Sequence, residues 1–85
     1  MARYSLRFKK SVAKDLRNLP KKDVQWILRR IEHLADDPRP HGCEKLSSRE
    51  VYRVRQGRYR ILYETADKEL LVLVIKVGPR DSVYR

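Results

Sequence analysis

Arginine is the residue whose spacing carries the most chemistry in this sequence. Between Arg49 and Arg60, five of twelve residues are arginine, at 49, 53, 55, 58 and 60, and Glu50 is the one acid among them. In an extended strand alternate residues share a face, so Arg53 and Arg55 lie together. Arg60 joins them across a hairpin turned at Gln56-Gly57-Arg58. Arg80 follows the next apolar run closely enough to approach the same end of the sheet. Guanidinium forks match phosphate oxygens two at a time, which is the usual reason for arginines to gather. Like charges side by side weaken a sheet unless an anion answers them. A phosphate-bearing ligand is one reading of this pattern; a solvated basic strand face is the other.

Other groupings are weaker. The three glycines, at 42, 57 and 78, form no phosphate-cradling loop. His33 and His41 fall in different elements, with no carboxylate or cysteine at ligand spacing, so no metal and no cofactor is expected. Cys43 stands in a Pro/Gly loop without the histidine pattern of a thiol nucleophile, and reads as a plain free thiol. Trp26 lies off the apolar stripe of its helix and is expected to pack at the helix edge. Ser47 and Ser48, beside Arg49, read as turn residues.

The elements that must carry the arginines follow from hydrophobic periodicity. Arg3 to Phe8 alternates, with Tyr4, Leu6 and Phe8 on one face, and predicts a half-buried strand. Ser11 to Leu19 sets Val12, Leu16 and Leu19 at helical spacing, and Pro20 breaks it. A second helix is predicted over about 22–35, where Val24, Ile27, Leu28, Ile31, Leu34 and Ala35 form one stripe. The run Asp36-Asp-Pro-Arg-Pro-His-Gly42 ends it as a loop. From Glu50 the period becomes two, with Tyr52 and Val54 opposite Arg53 and Arg55. Tyr59, Ile61 and Tyr63 then alternate with Arg60, Leu62 and Glu64. Ala66 to Glu69 turns the chain, and Leu70 to Val77 is apolar on both faces apart from Lys76, the mark of a strand central in its sheet. Gly78-Pro79 stops it and Arg80 to Arg85 is a tail. The order β-α-α-β-β-β predicts an α+β fold, with a helix pair on one face of a small sheet.

Composition narrows the partners. Eighty-five residues make one domain, residues 1–85, with no room for a second core. The formal charge of +10 argues against an enzyme indifferent to its partners' charge and favours a polyanion, either a nucleic acid or an acidic protein. One cysteine excludes a disulfide scaffold within the chain. The first ten residues hold no apolar signal segment, and Leu70 to Ile75 is too short to span a bilayer, so a cytoplasmic location without membrane contact is expected.

The ordered set Tyr52-Arg-Val-Arg55, Gly57-Arg-Tyr-Arg-Ile-Leu-Tyr63, Val77-Gly-Pro-Arg80 and Val83-Tyr-Arg85 resembles the RelE toxins of the RelE/ParE toxin–antitoxin superfamily. Leu19-Pro20, Leu34-Ala-Asp-Asp-Pro-Arg-Pro40 and Lys45-Leu46 extend the resemblance over nearly the whole chain. It implies an antiparallel sheet with two N-terminal helices on one face and the active site on the other. It further implies a ribosome-dependent endoribonuclease that cuts mRNA, held inactive by a cognate antitoxin in a hetero-oligomeric complex. The family's catalytic basic pair falls on Arg53 and Arg55, its phosphate-binding arginine on Arg60, a further catalytic arginine on Arg80, and its C-terminal tyrosine on Tyr84. Lys45, Arg49 and Arg58 are expected to hold the RNA around them. The best-studied member has lysines where this chain has Arg53 and Arg55. An arginine stays protonated, so the proton acceptor here is a separate question. The C-terminal helix of some members is not expected, since Tyr84 stands one residue from the end of the sequence. Two rival functions remain: a ParE-like toxin that poisons DNA gyrase, and a non-catalytic RNA- or ribosome-binding module.

Overall fold

The computed structural model describes residues 3–46 and 49–79. In chain order the elements are β1 (Ser5–Phe8), α1 (Lys10–Arg17), α2 (Lys21–Asp36), β2 (Glu44–Lys45), β3 (Val51–Gln56), β4 (Tyr59–Ala66) and β5 (Leu71–Pro79), with one 3₁₀ turn at Asp67–Glu69. Proline brackets α2. Pro20 stands as its N-cap, and Asp23 in the first turn meets the positive end of the helix dipole. At the other end Pro38 disfavours a helical residue before it, and Asp37 is accordingly extended at φ −143°, ψ 93°.

The five strands form one sheet in the order β1-β5-β4-β3-β2. The meander β3-β4-β5 and the β2–β3 pair are antiparallel, but β1 runs parallel to β5. The sheet is therefore mixed, which corrects the expected all-antiparallel arrangement. Alternation marks a strand without giving its direction. Direction came from the path: two helices and three strands separate β1 from the β5 edge that it joins. The two-residue strand β2 was also unforeseen, being too short to show a period.

Val12 of α1 and Ile27, Ile31 and Leu34 of α2 pack on Tyr52, Val54, Tyr59, Ile61, Tyr63, Val72, Val74 and Val77. Of the predicted helix stripe, Ile27, Ile31 and Leu34 supply this core and Ala35 is buried, whereas Val24 is half-buried and Leu28 is exposed. Phe8, assigned to the buried face of β1, is 44% exposed at the sheet edge, and Trp26, expected to pack at the helix edge, is 51% exposed. β5 is flanked by β1 and β4, as its apolar run predicted. That run has a second cause. A bulge in the β4–β5 register pairs Tyr63 with Val74 but Leu62 with Lys76, so Ile75 is an extra residue. The bulge moves the inward positions from Val72 and Val74 to Val77. Leu71 and Leu73 are half-buried on the face that the helices leave open.

Candidate active site

The core residues of β3 and β4 point toward the helices, so their intervening neighbours stand on the other, helix-free face. Arg53, Arg55, Arg60, Leu62 and Glu64 lie there. The register sets Arg55 directly opposite Arg60, Arg53 opposite Leu62, and Glu44 of β2 opposite Arg53. Directly opposed residues have Cβ atoms about 5 Å apart, so two guanidinium groups project from one rung of the sheet. On its other side Arg60 faces Gly78 of β5, which adds no side chain to crowd it. Arg53 and Arg60 are each only 7% exposed, whereas Arg55 is exposed. Two nearly buried cations on the open face of a small domain form a compact positive site, with Arg55 as its solvent-facing member.

The expected RNA-holding residues do not join this cluster. Arg49 reaches Glu64 at 3.5 Å, and Glu64 stands opposite Val51, four residues along β4 from Arg60 or about 13 Å of strand. Lys45 stands opposite the inward-facing Tyr52 and forms a 3.4 Å ion pair with Glu50. The Tyr52 hydroxyl donates to the same carboxylate at 2.6 Å, and this bond, with Lys45 beside it, holds Glu50 below the ordinary carboxylate range. Arg58 lies on the helix side of the β3–β4 turn, its guanidinium 5.8 Å from the ring centre of Tyr59. Arg80 and Tyr84 lie outside the described residues. β5 carries the chain as far as Pro79, opposite Tyr59 at the same end of the sheet as Arg60.

Two site residues were missed in the sequence. Glu44 forms an ion pair with Arg53 and is the acid nearest the arginine cluster in the register. Nothing in its spacing marks it, because β2 is two residues long. Lys76, opposite Leu62, adds a cation one strand over. Its signal was present, as the one polar residue in an apolar run. The two histidines belong to α2 and the 37–43 loop, and both are exposed.

Comparison with known proteins bears on what this face is for. Residues 6–84 match the family described as the ParE toxin of type II toxin–antitoxin systems, parDE. The chain belongs to the RelE/ParE toxin family. A Methanocaldococcus jannaschii protein that carries the toxin name RelE1 is 30% identical, over 98% of this chain and 97% of its own. Among solved structures, a chain of the archaeal RelE–RelB complex from Pyrococcus horikoshii superposes with a TM-score of 0.80 at 27% identity, covering 94% of the toxin and 98% of that chain. A chain of the RelBE2 toxin–antitoxin complex from Mycobacterium tuberculosis gives 0.83 at 25% identity, covering 94% of each. The isolated RelE toxin of Escherichia coli gives 0.79 at 25% identity, covering 95% and 90%. The toxin thus shares with RelE structures an α+β fold of two helices on a mixed five-stranded sheet. Among its described residues no helix is long and apolar enough to cross a membrane.

Proposed function

We propose that this type II toxin is a ribosome-dependent mRNA endoribonuclease whose working face is Arg53, Arg55 and Arg60, completed by Arg80 and Tyr84. The observation that carries the reading is the Arg55–Arg60 rung beside Arg53 on the helix-free face. In metal-independent RNA cleavage the 2′-oxygen bonds to the adjacent phosphorus, the bond to the 5′-oxygen breaks, and the products are a cyclic phosphate and a 5′-hydroxyl. Negative charge gathers on the non-bridging oxygens as this happens. Each preorganised donor aimed at that charge is worth roughly 3–4 kcal/mol. No arginine can take the 2′-hydroxyl proton. Among the described residues the Glu44 carboxylate, ion-paired to Arg53, is a group at this cluster with a lone pair to accept it. The departing 5′-oxygen takes a proton from water. Such a site is strong in electrostatics and weak in proton transfer, so it gains most when a host holds the mRNA in line for attack. The ribosome is that host, which makes the cytoplasm the place of action.

Its regulator is a cognate antitoxin, as in the RelE–RelB complexes that it resembles. A +10 domain with an open arginine face is complementary to an acidic or amphipathic segment that folds on binding. The rival reading, poisoning of DNA gyrase, has the family's ParE description in its favour. Primer extension on mRNA translated by purified ribosomes separates the two. Cuts within codons that vanish when ribosomes are omitted, with gyrase supercoiling unaffected at the same dose, are the expected result. Inhibited gyrase with intact mRNA refutes the nuclease.

A further inference from the structure

Around the β3–β4 turn from the arginine rung lies a cleft with a different composition. It is lined by Asp23 and Trp26 of α2 and by Gln56, Gly57, Arg58 and Tyr59 of the hairpin. Trp26 is half exposed, and a solvent-facing indole is an unusual feature on a small domain that has a core to fill. Its ring carries the Arg29 guanidinium at 5.4 Å, and across the cleft Arg58 lies 5.8 Å from the Tyr59 ring. A guanidinium stacked on an aromatic ring keeps its N–H edge free in direction for a phosphate. Tyr59 is itself fixed, because its hydroxyl donates to the Asp23 carboxylate at 2.5 Å. Lys22, Arg29 and Arg30, at i−4, i+3 and i+4 from Trp26, surround the indole with positive charge. Gly57 turns the hairpin at φ +60° and adds no side chain to the cleft. The walls are therefore aromatic, the rim is cationic, and the one acid is engaged.

The cleft lies on the other side of the hairpin turn from the cluster on the open face, but close to it. Arg58 is two residues beyond the Arg55–Arg60 rung, about 7 Å along the hairpin. A strand whose phosphate lies at that rung can round the turn and enter the cleft with the next part of its backbone. We propose that this cleft binds one unpaired nucleotide of the substrate RNA, flanking the scissile phosphate, with its base stacked on Trp26 and its phosphate held by Arg58. This assignment rests on the endoribonuclease reading, and it gives the toxin a second grip on the RNA that cleaves nothing. Stacking tolerates any base, because every base has a π-face, so the cleft adds affinity and direction without selecting a sequence.

Trp26 is the single tryptophan, so it reports on its own occupancy. The probe is a fluorescein-labelled, 2′-O-methyl RNA dodecamer without secondary structure, which binds but offers no nucleophile. Polarisation gives affinity, and an unlabelled copy of the same oligomer is titrated while indole emission is followed. Saturation is expected to quench Trp26 strongly. Trp26→Ala is expected to weaken binding about 5- to 150-fold, the equivalent of one stacked base, while Trp26→Phe stays within about threefold of the wild type. Arg60→Ala, measured alongside, reports on the arginine face separately. Unchanged indole emission at saturation, or Trp26→Ala binding as tightly as the wild type, overturns the cleft while an Arg60→Ala defect leaves the open face standing. A Trp26→Ala defect with normal binding by Arg60→Ala supports the cleft and leaves Arg60 to the transition state, which the cleavage assay reads. No binding of the oligomer by the wild type overturns the cleft, and the ribosome-dependent cleavage assay then tests the open face by itself. Normal RNA binding by Trp26→Ala with weakened antitoxin binding makes the cleft a protein-docking face and also refutes the proposal.

Discussion

Replacing Arg60 by alanine tests the arginine face most directly, because the structure separates what the residue does for the fold from what it does for the reaction. Its guanidinium stands on the helix-free side, opposite Arg55 on one strand and Gly78 on the other. Truncation removes packing of the aliphatic stem and the contacts of the guanidinium itself, which destabilises, and a directly opposed like charge, whose loss stabilises by about 0.2–1 kcal/mol. These oppose each other, so net stability is expected to change by no more than about 1 kcal/mol, or roughly 4–8 °C in Tm for a domain of this size. The catalytic effect has no such compensation. A preorganised donor worth roughly 3–4 kcal/mol to the transition state corresponds to a loss of about 150- to 800-fold in rate. Arg60→Lys keeps the charge but not the two-pronged fork and is expected to fall between. The assay is single-turnover cleavage of ribosome-bound mRNA, with thermal unfolding measured on the same preparations. An Arg60→Ala toxin that cleaves within tenfold of the wild type refutes the reasoning. So does one whose Tm collapses, since Arg60 would then be a structural residue.

Three further outcomes are expected. The Tyr63 hydroxyl is buried and donates to the Pro38 carbonyl at 2.7 Å, so Tyr63→Phe strands that acceptor and should cost about 1–3 kcal/mol in urea denaturation without changing the cleavage rate of the folded protein. Asp67, bonded by the Tyr4 hydroxyl and then by Arg39, and Glu50, bonded by Tyr52 and then by Lys45, both have folded pKa values below their ordinary ones. Their contribution is complete above the ordinary carboxylate pKa near 4 and is lost as pH falls through the lower folded values; the urea midpoint should therefore decline below about pH 4, and less so in the Asp67→Asn, Glu50→Gln double variant. If Tyr84 stacks on an mRNA base, Tyr84→Phe should keep most of the cleavage rate while Tyr84→Ala loses roughly one to two orders of magnitude, and equal severe losses would move its role to the hydroxyl.

Much of this molecule is legible in one dimension because its elements are amphipathic. The stripe from Ile27 to Leu34 and the alternation of Tyr59, Ile61 and Tyr63 each bury one face, and a buried face leaves its period in the sequence. For the same reason the partition of Arg53, Arg55 and Arg60 onto the opposite face could be read before any fold was known: once Tyr52, Val54 and Ile61 go inward, their neighbours must go outward. Proline stated the ends of α2 by removing a donor and restricting the residue before it.

What only the tertiary structure decided are relations between segments that carry no period of their own. The parallel course of β1 beside β5 depends on the route of the chain through two helices. The bulge at Ile75 lets a run that looks apolar on both sides serve one core and one open face. Glu44 meets Arg53 only because a two-residue strand docks on β3, a pairing too short to leave a pattern. The same holds for Lys45, Arg49 and Arg58. Alike in charge and near in sequence to the arginine rung, they are dispersed by register and turn geometry to other parts of the surface, where Glu50, Glu64 and Tyr59 receive them. Periodicity assigns a residue to a face; only strand register and packing assign it a neighbour.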